Sequence, residues 1–423
     1  MAYRSRRARR QTGVDVQINR DLIVFDGDRD WRRRLMDDPV IAQILSEQRA
    51  QAQLHSARRD LLRSGLRLTP AIAPDAWQAA DACKATLGLG LPVELYCVNE
   101  PLLNAFVAPP QHGRILIGVT NVALENLTTA ELRFLIGHEL GHAIFEHFAL
   151  APSVFEHDER IAPIHMARLF AWMRYAELTA DRVGLVCCGQ YTDAVRAFFK
   201  LTSGLRSERF LEHAVESAAQ FAELAAESLD SNEEDWFSTH PYGPMRLRAL
   251  EFFSRSQAFH SLTGQGDGAL TERELEKEVR AIMTLMDPSF LNDNTPHHDE
   301  IVAFIAQACT LIAYADGTLK RAERRFVDEL LGGEDIIAEV KESLRAGSFE
   351  KAIEYTAAQG AQLAIGLSLG TRRKICEDLV ALAICDGQLD DAELELLEIF
   401  ARALRVDPLQ VHDALARLDR ALD

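Results

Sequence analysis

The sequence predicts a mainly α chain with a small β-sheet in its first part and an all-helical second part. Three observations lead there. Two short apolar runs rich in β-branched residues, LPVELYCV and RILIGVT, sit among long stretches of helical periodicity. A Gly-rich polar stretch, HSLTGQGDGALTE, closes that region off. Beyond it, residues 297–423 read as helix throughout. With 423 residues and 48% hydrophobic content, the chain has room for two or three domains, each with its own core.

In chain order, MAYRSRRARR opens a basic stretch, and residues 1–34 are expected to form a flexible arm, either solvated or docked on an acidic surface. QTGVDVQINRDL follows without an apolar h-region, which excludes a Sec or twin-arginine signal. DDPVIAQILSEQRAQAQLHSARRDLLRSGL reads as a long polar helix, and the two prolines of TPAIAPDAW break it. The two strand-length runs come next, with turn chemistry in NAFVAPPQHG between them. Thr128 and Glu131 have the spacing of a capping box and start a helix through RFLIGHELGHAIFEH. A second helix spans HMARLFAWMRYAELTADRVGLVCC, and an acidic, Ala-rich one spans FLEHAVESAAQFAELAAESL. STHPYGPMRLRAL turns and re-enters a helix. The expected partition is an arm at 1–34, a mixed domain at 35–262 with its motifs in 75–255, a linker with a helix at 263–296, and a helical domain at 297–423.

Composition excludes several classes. A net charge of −18 argues against nucleic acid as a partner. No apolar run approaches the ~18 residues of a membrane span. The seven cysteines form no CxxC pair, so they read as reduced thiols of a cytoplasmic protein and not as a metal site.

The chemistry concentrates in HELGH. Residues four apart on a helix lie about 40° from alignment and ~6 Å along the axis, so His138 and His142 can offer imidazole nitrogens to one point. Glu139 sits about 100° further round, within reach of a metal-bound water without being a ligand. Zinc at a catalytic site takes three protein ligands and a water. His147 is five residues past His142, whereas the metzincin pattern places its third histidine six past, with an intervening glycine where this chain has Phe145. Glu177 is the better third ligand. In ELTAD it shares a helix face with Asp181, which can accept a hydrogen bond from a ligand histidine and fix its tautomer. Gly137 and Gly141 each cost about 1 kcal/mol of helix stability relative to Ala and make room for close packing beside the ligands. Glu139 is then the general base, and His240, held by Pro241, is the candidate group for the developing oxyanion.

Together these residues resemble the zinc metallopeptidases of the HtpX and CaaX-prenyl-protease type, a branch of the gluzincins. That family pairs HELGH with a downstream ExxAD and a later HPx(4)R, which stand here as His138 to His142, Glu177 to Asp181, and His240-Pro241 with Arg246. The likeness covers about residues 75 to 255 and implies a zincin-like α+β domain, one Zn²⁺ per chain and endopeptidase activity on a protein or peptide. It also implies that Asn104 and Ala105, with Ile115, Leu116, Ile117 and Gly118 of RILIGVT, line a substrate strand. Many members of that family are membrane-embedded, and this chain has no matching span. His240 is open to a second role, as a plug on the zinc.

The helical part carries AYADGTLKRAE from Ala313 and AICDGQLDDAE from Ala383, an internal repeat of A-x-x-D-G-x-L-x-x-A-E. It resembles the TerB domain of tellurite resistance. Ile312, Tyr314, Leu382 and Ile384 stand where an EF-hand needs oxygen ligands, so calcium loops are not expected. Asp316 and Asp386 read as helix caps, and the resemblance raises an acidic metal site as the alternative. Two functions follow: a soluble zinc endopeptidase recruited or regulated through a protein partner of the TerB-like domain, or a latent peptidase fold serving as a stress-response sensor.

Overall fold

The computed structural model describes residues 17–51, 57–155, 158, 160–161, 163–212, 220, 240–284, 286–287, 297–315, 349–383, 389–412 and 415. The Arg-rich start, most of the acidic helix after Phe210, and the repeat residues Asp316 and Asp386 lie outside them.

Residues 17–34 do not form an arm. Ile23 and Phe25 are buried, and Phe25 stacks on Tyr175 with ring centroids 5.3 Å apart. Helix α1 (Asp26–Asp37) then packs on the protein body through Leu35. Two apolar anchors outweigh the basic composition that suggested solvation. Helices α2 (Pro39–Gln51) and α3 (Ala57–Ser64), strand β1 (Leu66–Arg67) and α4 (Pro74–Leu87) follow.

The sheet comprises β1, β2 (Val93–Val98), β3 (Ala105–Gln111) and β4 (Arg114–Thr120), in the order β1-β2-β4-β3. A two-residue turn with His112 (φ 49°) and Gly113 (φ 70°) joins β3 to β4 as an antiparallel hairpin, while β2 runs parallel to β4. Both sides of β4 are therefore paired. Ile115, Leu116 and Ile117 are fully buried, and Gly118 pairs with Tyr96 and Phe106. The expectation that RILIGVT lines a substrate fails, because an interior strand has no free backbone edge. The edge nearer the motif helix is β3.

Helix α5 (Asn121–Asn126) leads into α6 (Thr129–Ile144), which carries HELGH. Its capping box forms as expected: Glu131 N donates to Thr128 Oγ1 at 3.3 Å, and Thr128 N to Glu131 Oε2 at 2.7 Å. Lys200 Nζ, on α8 (Tyr191–Ser203), also donates to Glu131 at 2.7 Å, so the buried carboxylate is neutralised. Helix α7 (Pro163–Cys188) lies against α6. The approach is close because both helices present glycine. A Cβ on Gly137 would stand 2.7 Å from Cys187 Cβ, and one on Gly184 would stand 2.7 Å from Phe134 O.

The expected linker is also part of this body. Leu275, Val279, Ile282 and Met283 of the helix Glu272–Met283 share one core with Met245, Leu250 and Phe253 of the helix Gly243–Ser254 and with Leu185 of α7. Its polar turn signals marked a change of direction, not the end of the core. The C-terminal helices His298–Ala313, Phe349–Gly366, Leu369–Ala383 and Asp391–Ala403 form a separate core around Phe304, Leu379 and Phe400. Ala171 of α7 and Trp31 of α1 pack against it. No helix among the described residues is long and apolar enough to cross a membrane.

Candidate metal centre

Helix α6 places His138 and His142 one turn apart, and α7 brings Glu177 up beside them. Their donor atoms lie within 4.8 Å of one another. His138 Nε2 and His142 Nε2 are 3.0 Å apart, Glu177 Oε1 is 3.2 Å from His142 Nε2, and Glu177 Oε2 is 3.5 Å from His138 Nε2. A tetrahedron with metal–ligand bonds of about 2.0–2.1 Å has edges of about 3.3–3.4 Å, and each imidazole nitrogen lies near that distance from one oxygen of Glu177, Oε1 for His142 and Oε2 for His138. Two ring nitrogens turned on each other beside a buried carboxylate make a donor set that fits a cation.

The supporting groups fix the His138 ring. His138 Nδ1 meets Asp181 Oδ1 at 2.9 Å, which leaves Nε2 to face the site. Arg246 holds Asp181 with a two-pronged fork, Nε to Oδ2 at 2.8 Å and Nη2 to Oδ1 at 2.7 Å. The same Nη2 lies 3.0 Å from Glu177 Oε2. Burial opposes the charge on Glu177, but Arg246 and the histidines outweigh it and hold the carboxyl well below its ordinary range. Burial likewise opposes the charge on Asp181, and Arg246 again wins. On His142 burial works against protonation, yet Glu177 raises its pKa overall.

Glu139 is buried in the same turn of α6, next to the ligands. His240 reaches the rim: its side chain is 60% exposed, with Nε2 3.5 Å from Glu177 Oε1. Of the expected substrate residues, Asn104 and Ala105 open the edge strand. Their amides are held internally, Asn104 N by Thr120 Oγ1 at 3.1 Å and Ala105 N by Asn104 Oδ1 at 2.9 Å.

Two groups beside the site make contacts that the sequence reading did not give, His147, weighed there only as a ligand, and Asp28. His147 is no ligand, but its Nδ1 lies 2.9 Å from His142 Nδ1, and its Nε2 lies 3.2 Å from Asp28 Oδ2. The five-residue spacing from His142 was the available signal for His147. Asp28, in the supposed arm, carried none.

A histidine pair on one helix and a carboxylate from the next thus form a group that could hold a metal ion, with a mixed sheet alongside. Residues 77–156 and 159–253 match the family model of Peptidase family M48, and residues 301–416 match that of Tellurite resistance protein TerB. The chain thus carries an M48 domain of the HtpX type followed by a TerB domain. Plastoglobule-localized metallopeptidase 48, chloroplastic, of Arabidopsis thaliana is 29% identical over 185 residues, 40% of this chain and 54% of that protein. A Protease HtpX homolog of Moorella thermoacetica is 25% identical over 221 residues, 43% of this chain and 73% of the relative. Another, from Tropheryma whipplei, is 34% identical over 90 residues, 21% of this chain and 30% of its own length. The chain spans about half the length of the first of these relatives. No solved structure matches it.

Proposed function

We propose that the protein is a zinc-dependent endopeptidase, with zinc held by His138, His142 and Glu177. The observation that carries this reading is the convergence of one donor atom from each of those three side chains to within 4.8 Å of one another. Bound zinc supplies Lewis acidity toward the scissile carbonyl and lowers the pKa of its water. Glu139 takes the proton of the attacking water and delivers it to the leaving amine. Asp181 and Arg246 hold His138 and Glu177 in place, so the ligand face is formed before substrate arrives. His240, at the rim, donates toward the oxyanion that forms on the carbonyl oxygen. An extended peptide adds to the outer edge of β3 beyond Asn104 and Ala105, whose amides are already bonded, and exposed Phe106 offers it an apolar contact. The TerB domain, packed through Trp31 and Ala171, recruits a protein partner or adjusts the peptidase.

Glu139→Gln tests the reading. The variant is expected to keep about one zinc per chain and lose casein hydrolysis by about a thousandfold or more, the scale of removing a general base on top of its charge. Zinc-loaded wild type without hydrolysis of any peptide library, or a variant as active as wild type, would remove it.

A further inference from the structure

We propose that Asp28 and His147 are positioning residues for the metal, fixing which nitrogen of His142 carries the proton and holding its ring on the site. The inference rests on the metal-binding reading above. His142 can offer Nε2 to a cation only if its own proton sits on Nδ1. That Nδ1 lies 2.9 Å from His147 Nδ1, and two nitrogens at this distance share a single proton. His147 must therefore present a lone pair there and carry its proton on Nε2, which lies 3.2 Å from Asp28 Oδ2. Asp28 can only accept: Trp172 Nε1 donates to Oδ1 at 2.8 Å, and Thr179 Oγ1 donates to Oδ2 at 2.7 Å. Each proton in this chain has one acceptor, and the direction runs from the metal site to Asp28. Reversing either ring sets proton against proton or lone pair against lone pair. His147 is 1% and Asp28 2% exposed, so bulk water cannot substitute for either.

The backbone is shaped for this contact. Five residues along a continuing helix would turn His147 about 140° away from His142. Instead α6 ends at Ile144, and Glu146 takes a left-handed conformation (φ 56°) that folds His147 back. Its ring stands edge-on to His142 at 5.0 Å and edge-on to Trp172 at 5.7 Å. His138 obtains the same service from Asp181 in one step. Each ligand histidine thus has its own carboxylate, His142 through an intermediary. Asp28 lies on α1, outside the segments that match the peptidase family, which begin at residue 77.

Three variants of the full chain test this, read by zinc affinity in competition with a chromophoric chelator and by thermal unfolding of the zinc-free protein. His147→Phe keeps the aromatic volume but offers His142 no acceptor, and its zinc affinity should fall about 10- to 100-fold. His147→Asn loses volume but returns an acceptor oxygen near the old Nδ1, and should recover most of that loss. A packing role predicts the opposite ranking, so Phe equal to wild type, or Asn as weak as Phe, overturns the proposal. Asp28→Asn, which leaves both rings in place, should weaken zinc about tenfold. It decides alone if His147→Phe does not fold, and unchanged affinity there overturns the proposal too. If wild type itself takes up no zinc, the metallopeptidase reading falls. If wild type binds it and the variants bind equally, only this inference does.

Discussion

Replacing Gly141 by alanine tests how closely the two helices that build the site must pack. A Cβ there would stand 2.9 Å from Ala180 Cα and 3.1 Å from Val183 Cβ. Carbon atoms in ordinary contact lie about 3.5–4.0 Å apart, so α6 and α7 would have to separate by roughly 0.6 Å. The obstacle is the backbone of α7 beside Asp181, which no rotamer change can clear. Metal–ligand distances tolerate about 0.2 Å. With His138 and His142 on one helix and Glu177 on the other, the displacement exceeds that tolerance. Stability responds less, because two effects oppose: alanine gains about 1 kcal/mol over glycine inside a helix, while overpacking costs about 1–3 kcal/mol. The zinc-free chain should therefore lose roughly 0–2 kcal/mol in urea unfolding. Zinc affinity, by chelator competition, should fall tenfold or more, equivalent to about 1.4 kcal/mol. A variant that is more stable and binds zinc as tightly as wild type would refute the idea that this glycine sets the ligand spacing.

Arg246→Met should cost about 3–5 kcal/mol in urea unfolding, because it leaves Glu177 and Asp181 buried without their counter-charge. Arg246→Lys should recover only part of this, since an ammonium cannot reproduce the fork on Asp181. Glu94 gives a pH signature away from the metal. Burial opposes its charge, but Arg58, Tyr96 and Arg67 outweigh burial and lower its pKa from the ordinary 4.5. The stability it contributes is complete above the ordinary glutamate range and is lost as pH falls through the lowered folded value. Melting temperatures from pH 6 to pH 3 should therefore drop less steeply in Glu94→Gln than in wild type, and parallel curves would count against this assignment.

What could be read from the sequence was local. His138, Glu139 and His142 sit within two turns of one helix, so the 3.6-residue period alone sets their relations. The Thr128–Glu131 box is likewise a three-residue matter. Glu177 and Asp181 share a face for the same reason, and only their docking on α6 needed tertiary structure. Strand order was not legible. RILIGVT is apolar enough to be central or edge, and its place between β2 and β3 follows from a β2–β4 pairing that skips β3. The role of His147 was hidden because the helix stops at Ile144 and one left-handed residue re-aims the chain.

Composition misled at both ends of the peptidase body for one physical reason. A segment can be polar on average and still be fixed by a few apolar or ionic anchors. Ile23 and Phe25 bind residues 17–34 despite their arginines. The helix 272–283 is bound back in turn: Arg182 Nη1 lies 2.7 Å from Glu276 Oε1, Asp26 N donates to Glu276 Oε2 at 3.0 Å, and Arg280 Nη2 lies 2.8 Å from Asp30 Oδ2. These pairs join α1 and the helix 272–283 to each other across the outer face of α7, and neither segment belongs to the matched stretch that ends at 253. Because α7 carries Glu177 and α1 carries Asp28, the packed body around the candidate metal site is longer than the segment that matches the peptidase family model. Trp31, on the same helix as Asp28, packs against the TerB core, so the second domain touches the element whose Asp28 bonds His147 beside the candidate metal site.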